Sequence, residues 1–552
     1  MAMAGNAPTG GFLDRASIVA HAGFNRWLVP PAALAIHLCI GMSYGLSVFW
    51  LPLTKVIPGD APAACKDMGW FGALFTTSCN WRVSDLVVTF TIGIVMLGLS
   101  AAVFGGWVER AGPRKAALVA ALCWSGGFFI SAFGVSIHQL WVIWLGLGLI
   151  GGVGLGLGYI SPVSTLVKWF PDRRGMATGM AIMGFGGGAM IGSPLANLLM
   201  NGGDLFPFLH LSEPLAKAPA LGVAGAMATL GLGYLAFMLA GAFGYRVAPD
   251  AWSPAGWTAP AHADSFITRG YVPLEDAHKT PQFWMVWVVL CMNVSAGIGV
   301  LAMASPMLQE IFAGGLIGLP DVVFKALDKD QLGRIAAIAA GFVGLLSLFN
   351  IAGRFFWASL SDRIGRKTTY FVFFILGIAL YAATPTLAHG GQKGLFVAAL
   401  CVILSMYGGG FATVPAYLAD LFGAKFVGAI HGRLLTAWST AGVVGPFLVA
   451  QIRQSLLDTG IEPAHAYDFT LYILAGLLVV GLIANAMIGP VAPNWLKMDA
   501  APQKKAAGAV AGDSDIGSGG SGIALVLAWA VAGVPILWGV LMTLNSAVKI
   551  FQ

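Results

Sequence analysis

Charge is what this sequence has least of. Only 10% of its 552 residues are Asp, Glu, Lys or Arg, against about 25% in soluble domains. Hydrophobic residues make up 58% and the mean hydropathy is +0.81. That imbalance excludes a soluble enzyme of this length, which would need far more polar surface. Lys and Arg number 30 and Asp and Glu 24, a formal net charge of +6. The cations are spread over short polar segments rather than gathered on one face, so the expected partner is a lipid bilayer and not nucleic acid. Cysteine is scarce too. Cys39, Cys123, Cys291 and Cys401 fall in apolar runs and read as small buried hydrophobes. Cys65 and Cys79 share one polar segment, and a disulfide there requires an oxidising compartment. No nucleophile–base signature or metal-ligand cluster stands out, so no catalytic residue, metal or cofactor is expected. Gly146-x-Gly148-x-x-Gly151 matches a dinucleotide-binding string, but that string has meaning only between a strand and a helix. Here it lies inside an apolar run, where glycine packs helices. No cleavable leader is expected, because the first apolar run is long enough to span.

What the chain does have is apolar runs of spanning length. They predict membrane helices near residues 28–51, 84–107, 116–136, 139–162, 176–199, 221–245, 283–312, 335–358, 368–388, 395–418, 430–452, 469–490 and 523–547. With the N-terminus in the cytoplasm, Lys and Arg favour the inner loops by roughly two to one, which supports that orientation. The chain also repeats itself at a constant offset. Adding 253 turns Glu109, Arg110 and Gly112 into Asp362, Arg363 and Gly365, and Pro162, Gly175, Gly179 and Gly192 into Pro415, Gly428, Gly432 and Gly445. The expected architecture is an all-α integral membrane protein of two parallel six-helix halves with a site between them. Its predicted parts are an N-terminal cytoplasmic tail (1–27), the first half (28–247), a cytoplasmic inter-half loop (248–281), the second half (282–492), a flexible linker (493–522), and a thirteenth transmembrane helix and tail (523–552).

Ser347–Lys367 is the most informative stretch. Arg354 precedes Asp362 by eight positions, which puts it on the order of 12 Å deeper along a helix. A cation at that depth costs roughly 3 kcal/mol on insertion scales, and an anion is the natural compensation. Ser347, Asn350, Arg354 and Ser361 share one helical face, which predicts a polar stripe facing a cavity. The only acidic residues in neighbouring spans, Asp85 and Glu310, sit near the outer ends. The repeat partner of Arg354 is Ala101, so the arginine is no part of the duplicated scaffold.

Gly105-x3-Glu109-Arg110-x-Gly112-Pro113-Arg114-Lys115, echoed at Asp362–Lys367, resembles the loop motif of the major facilitator superfamily. Gly154-Leu-Gly-Leu-Gly158-Tyr159-Ile-Ser-Pro162, Lys168–Gly175, Phe349-Asn350-x2-Gly353-Arg354 and Leu434–Trp438 narrow the resemblance to its oxalate/formate antiporter family, over about residues 26–490. The resemblance implies transport of a small organic anion by alternating access, with Arg354 and aromatic walls around a central pocket. Tyr44, Ser47, Tyr159, Tyr407 and Asn350 are the expected lining. Glu109, Arg110, Asp362 and Arg363 are expected to gate and brace the inner face. Trp438 stands where oxalate-exchanging members carry a lysine, so one cation remains and a monoanion such as formate, lactate or pyruvate is favoured over a dianion. His37 is the proton-coupling candidate, while Arg433 and His431 read as loop charges. Alternative readings are a proton-coupled monocarboxylate symporter and a transporter-like carboxylate sensor. The thirteenth helix resembles a single-helix partner of some members and is expected to be peripheral. A monomer in a bacterial inner membrane with an external C-terminus completes the expectation.

Overall fold

The computed structural model describes residues 11–498 and 521–551, apart from residues 22, 58–64, 66–67, 69, 171–173, 210, 212–213, 250–251, 253, 255–267, 269 and 424–425. Residues 499–520 of the expected flexible linker fall outside the described residues, as do the first ten residues and much of the inter-half loop, whereas its start is ordered as a 3-10 turn (Pro493–Trp495) and a bridge from Lys497 to Tyr271. All thirteen predicted spans are present: α1 (Arg26–Leu53), α2 (Val83–Val108), α3 (Pro113–Ser136), α4 (Leu140–Val163), α5 (Ile182–Asn201), α6 (Gly222–Gly244), α7 (Pro281–Ile317), α8 (Lys329–Ile364), α9 (Arg366–His389), α10 (Lys393–Phe422), α11 (Val427–Asp458), α12 (Pro463–Met487) and α13 (Gly522–Ile550). The Gly146–Gly151 string lies within α4, where a Cβ on Gly146 would come within 2.7 Å of the Gly127 carbonyl oxygen of α3. It is a packing device.

The repeat is visible in backbone geometry. Gly112 and Gly365 take the same left-handed conformation, φ +87° and +86°, which only glycine adopts without a steric cost. Each N–H closes the preceding helix, on Val108 O and Ser361 O respectively, both at 3.0 Å. The cations that follow are also equivalent (114 + 253 = 367) and do the same work. Arg114 donates to Phe243 O at 3.2 Å, and Lys367 to Ala486 O and Ile488 O at 3.0 and 2.7 Å. Each thus caps the C-terminal carbonyls that end the last helix of its own half, where a cation is favoured. Asp362 pairs with Arg366 at 2.5 Å, and Arg366 also reaches Asp420 at 3.6 Å. Arg110 and Arg363 are exposed, and the side chain of Glu109 lies outside the described residues.

The opposite face, called outer below, carries the loop in which Cys65 and Cys79 are joined by a disulfide, with Cα atoms 5.4 Å apart. Near this face Trp50 of α1 donates to Ala302 O of α7 at 2.8 Å, tying the halves together. The halves also meet along two pseudo-symmetric seams. On one, Ser439 of α11 donates to Val95 O of α2 at 3.1 Å. On the other, Ser347 of α8 donates to Gly186 O of α5 and accepts from the Met190 N–H at 3.2 Å. Glu310, at the outer end of α7, is buried with Arg453 of α11 and Tyr467 of α12. The guanidinium and the carboxylate form a two-point ion pair, and the tyrosine hydroxyl donates to Glu310 at 2.6 Å.

Candidate functional site

At mid-depth between the halves, side chains from six spans close a single cage. Tyr44 comes from α1, where Gly41–Phe49 tightens into a 3-10 helix. Tyr159 comes from α4, Phe185 from α5, Tyr407 and Phe411 from α10, and Trp438 from α11. Arg354 on α8 adds the charge, and its side chain is 1% exposed. The rings contact one another in sequence around the cage. Tyr44 meets Phe185 with centroids 4.9 Å apart, Phe185 meets Trp438 at 5.5 Å, and Trp438 meets Phe411 at 4.5 Å. Phe411 meets Tyr407 at 5.3 Å, and Tyr407 returns to Tyr44 at 5.7 Å. Tyr159 packs edge-on against both Phe185 and Trp438, at 5.6 and 5.3 Å. The guanidinium carbon of Arg354 sits 5.7 Å from the Phe411 ring.

The polar atoms of this cage are unevenly satisfied. Tyr44 and Tyr407 share a hydrogen bond of 2.7 Å across the interface between the halves. Arg354 Nε donates to Asn350 Oδ1 at 3.0 Å, which orients the guanidinium one helical turn from the amide. Four buried donors have no protein acceptor: Arg354 Nη1, Asn350 Nδ2, Tyr159 Oη–H and Trp438 Nε1–H. Each buried donor left so costs about 1–3 kcal/mol, and more for a charged group. No carboxylate offsets the arginine among the described residues, because Asp85 is held by Arg82 at 3.2 Å and Glu310 by Arg453. The cage is therefore a desolvated, singly cationic donor set. Among the described residues it brings together no nucleophile with a base and no set of metal ligands.

Not every sequence-selected residue reaches the cage. Of the polar stripe on α8, only Asn350 and Arg354 face it. Ser347 is committed to the α5 backbone, and Ser361 donates to Ala358 O at 2.8 Å while accepting from Arg366 at 2.5 Å. The stripe thus serves the seam and the inner loop as well as the cage, which corrects the expectation of one cavity-facing stripe. Ser47 is buried one turn from Tyr44. His37 lies a layer behind the cage, its Nε2 on the Tyr159 carbonyl oxygen at 3.1 Å and its ring stacked on Tyr159 at 5.6 Å. Arg433 is at the inner end, donating to Leu274 O at 2.6 Å.

Sequence reasoning missed Phe185 and Phe411. The repeat could have found the first: 185 + 253 = 438, so Phe185 and Trp438 are equivalent positions facing each other across the pseudo-two-fold. Gly186 was also missed. A Cβ there would stand 3.0 Å from Arg354 Nε and 3.1 Å from Asn350 Oδ1, so α5 can approach the arginine this closely only as glycine.

Comparison with known proteins adds the lineage. The chain is 26% identical over 395 residues to the oxalate:formate antiporter of Oxalobacter formigenes, spanning 70% of this chain and 81% of that one. It is 25% identical over 424 residues to apicoplast pyruvate carrier 1 of Toxoplasma gondii, spanning 69% and 71%. The crystal structure of a bacterial homologue of the human lysosomal transporter Spinster superposes with a TM-score of 0.53 at 14% identity, over 84% of this chain and 96% of that one, a likeness of fold. The Major Facilitator Superfamily profile matches residues 33–446. With that match, two repeated six-helix halves and a central cage between them, this chain belongs to the major facilitator superfamily and is a multi-pass membrane transporter.

Proposed function

We propose that the protein is a secondary transporter of small organic monocarboxylates, working by alternating access around the Arg354 cage. One observation carries this reading: four buried donors, on Arg354, Asn350, Tyr159 and Trp438, lack any protein acceptor. A carboxylate offers two oxygens with about four lone-pair sites and one negative charge, which answers both the unmet donors and the unpaired cation. The named activities of the relatives from Oxalobacter formigenes and Toxoplasma gondii, oxalate:formate exchange and pyruvate transport, fall in the broader class of small organic carboxylates.

Charge balance selects within that class. The cage holds one guanidinium, and Trp438 supplies an indole N–H where a second cation would be needed for a dianion. A second negative charge left unpaired in a desolvated site costs several kcal/mol, so monocarboxylates should bind better than oxalate. The aromatic walls exclude water and suit a short apolar tail. His37 holds the Tyr159 backbone, and we assign it to positioning that tyrosine rather than to proton transfer. The inner-face cations Arg114 and Lys367 and the oxidised outer loop support an N-terminus in the cytoplasm and a C-terminus outside, as in a bacterial inner membrane.

The test is ligand-induced thermal stabilisation of purified protein by formate, lactate, pyruvate and oxalate, since bound ligand raises stability by mass action. Monocarboxylates should raise Tm more than oxalate, and Arg354→Gln should abolish the shift. A shift led by oxalate would refute the one-cation reading. Radiolabelled uptake into proteoliposomes completes the test, because a carboxylate sensor would bind without accumulating.

A further inference from the structure

At the outer ends of α9 and α12, away from the cage, three side chains converge. His389 lies in the last turn of α9, His465 in the 3-10 turn (Pro463–His465) that opens α12, and Asp468 at the start of the α-helical part of α12 (Asp468–Met487). Asp468 Oδ2 is 2.7 Å from His389 Nε2 and 3.6 Å from His465 Nδ1, and the two imidazoles stack with centroids 4.5 Å apart. One ligand atom from each side chain lies within 4.8 Å of the others. Around a tetrahedral ion with metal–ligand distances of about 2.0–2.1 Å, ligand atoms stand roughly 3.3 Å apart. The two measured separations bracket that value.

We propose that His389, His465 and Asp468 form a binding site for a borderline divalent transition metal, zinc foremost, with the fourth position left to water. Two imidazoles and one carboxylate suit such ions and not magnesium or calcium, which prefer oxygen ligands. Two of the three ligands sit at helix ends, so little chain ordering is needed on binding, and all three are partly exposed to the outer solution. Both spans belong to the second half, so the metal would staple that half while leaving the seams between halves free to move.

The experiment uses the full-length protein without a polyhistidine tag. Titration calorimetry with zinc chloride should give one equivalent bound, a saturable rise in Tm, and no response to magnesium chloride. His465→Ala and, as a milder variant, Asp468→Asn should each weaken zinc binding at least about tenfold while leaving carboxylate stabilisation unchanged. Absence of zinc binding to the wild type, or equal affinity in the double variant His389→Ala/His465→Ala, would overturn the proposal.

A second inference rests on α13. It lies against one seam only. Thr543 donates to Met190 O of α5 at 3.2 Å, the same residue whose N–H bonds Ser347 of α8. Trp538 donates to Leu205 O in the outer loop at 2.8 Å. On α8, a Cβ at Gly344 would meet Thr543 Oγ1 at 2.3 Å and one at Gly341 would meet Ser546 at 2.3 Å, while on α13 a Cβ at Gly539 would meet Ile191 at 2.8 Å. The helix expected at the periphery thus straddles the α5–α8 seam from mid-depth outwards.

We infer that α13 clamps this seam shut on the outer side, and so biases which face the cage opens to. The inference rests on the alternating-access reading. Spin labels at Lys55 and Leu319, on the outer ends of the two halves, report the outer gap directly in the full-length protein. Thr543→Val removes one hydroxyl and Gly539→Leu wedges α13 from α5. Each should increase the wide-gap population by about three- to tenfold, the worth of one hydrogen bond. Distance distributions identical to wild type in both variants would overturn the clamp. Carboxylate stabilisation measured on the same samples would separately report failure of the site reading.

Discussion

Tyr159→Phe separates a ligand-binding hydroxyl from a structural one by sign. The ring is buried and packs against His37, Phe185 and Trp438, and phenylalanine preserves all of that packing. Only the hydroxyl is lost, and it has no protein partner. Removing a hydroxyl that holds a protein hydrogen bond would lower stability by about 0.5–1.5 kcal/mol. Here the substitution takes away a buried donor whose solitude costs about 1–3 kcal/mol. The ligand-free variant should therefore melt at the same temperature as wild type or higher. Binding should move the other way. A hydrogen bond to a charged acceptor contributes about 1.5–3 kcal/mol, so carboxylate affinity should fall by roughly 10- to 150-fold. The assay is a thermal melt with and without ligand, followed by calorimetric titration. A lower ligand-free Tm with unchanged affinity would refute the reasoning and assign the hydroxyl to the fold.

The other perturbations act on charge. Arg354→Lys keeps the cation but loses the bond to Asn350 and the planar fork, so affinity should drop about 10- to 100-fold, whereas Arg354→Gln should bind nothing measurable. Neither should melt below wild type, because the arginine has no carboxylate partner to orphan; a large destabilisation by Arg354→Gln would contradict that. Glu310→Gln should lower stability by about 3–5 kcal/mol by leaving Arg453 buried and unpaired, and Glu310→Met/Arg453→Leu should recover most of the loss. Thermal melts of the two variants check this, and a double variant no better than the single would show the pair is not the source.

The architecture was legible because the bilayer imposes it. Twenty-residue apolar runs are of spanning length, and the duplicated Glu109–Lys115 and Asp362–Lys367 turns mark the parallel halves in the sequence itself. Arg354 was legible for the same reason, as a cation too deep to be incidental. What stayed hidden was which neutral side chains share its cage. Phe185 and Phe411 look like ordinary lipid-protein aromatics, and only contacts between distant helices give them a role. Ser347 and Ser361 misled in the other direction. They share a face with Arg354, yet helix periodicity gives direction around one axis and says nothing of depth or of the helix opposite. The Glu310–Arg453 pair illustrates the same limit: both residues sit near outer ends and resemble interfacial charges until α7 and α11 are packed together. The seam position of α13 was equally out of reach, since nothing in an apolar run names the groove that receives it.

The scaffold is two-fold but the cage is not, and on the proposed reading that difference would orient the ligand. Phe185 and Trp438 are equivalent positions, whereas Arg354 faces the repeat from one side only, its counterpart being Ala101. A carboxylate held by the donors of Arg354, Asn350, Tyr159 and Trp438 must point its tail away from them, towards the Phe185 side of the ring cage. Tail length is then limited by those rings and not by charge. Phe185→Ala removes the wall opposite Trp438 without touching any of the four unmet donors. It should therefore leave formate affinity within about threefold while improving binding of a longer, branched monocarboxylate, since each methylene newly accommodated contributes about 0.8 kcal/mol, or roughly fourfold. The ring's loss from a buried cluster should cost about 3–5 kcal/mol of stability, so affinities are best measured by equilibrium titration at low temperature. Equal weakening of formate and the longer acid would mean that the tail does not point towards Phe185, and that the carboxylate is bound in some other orientation.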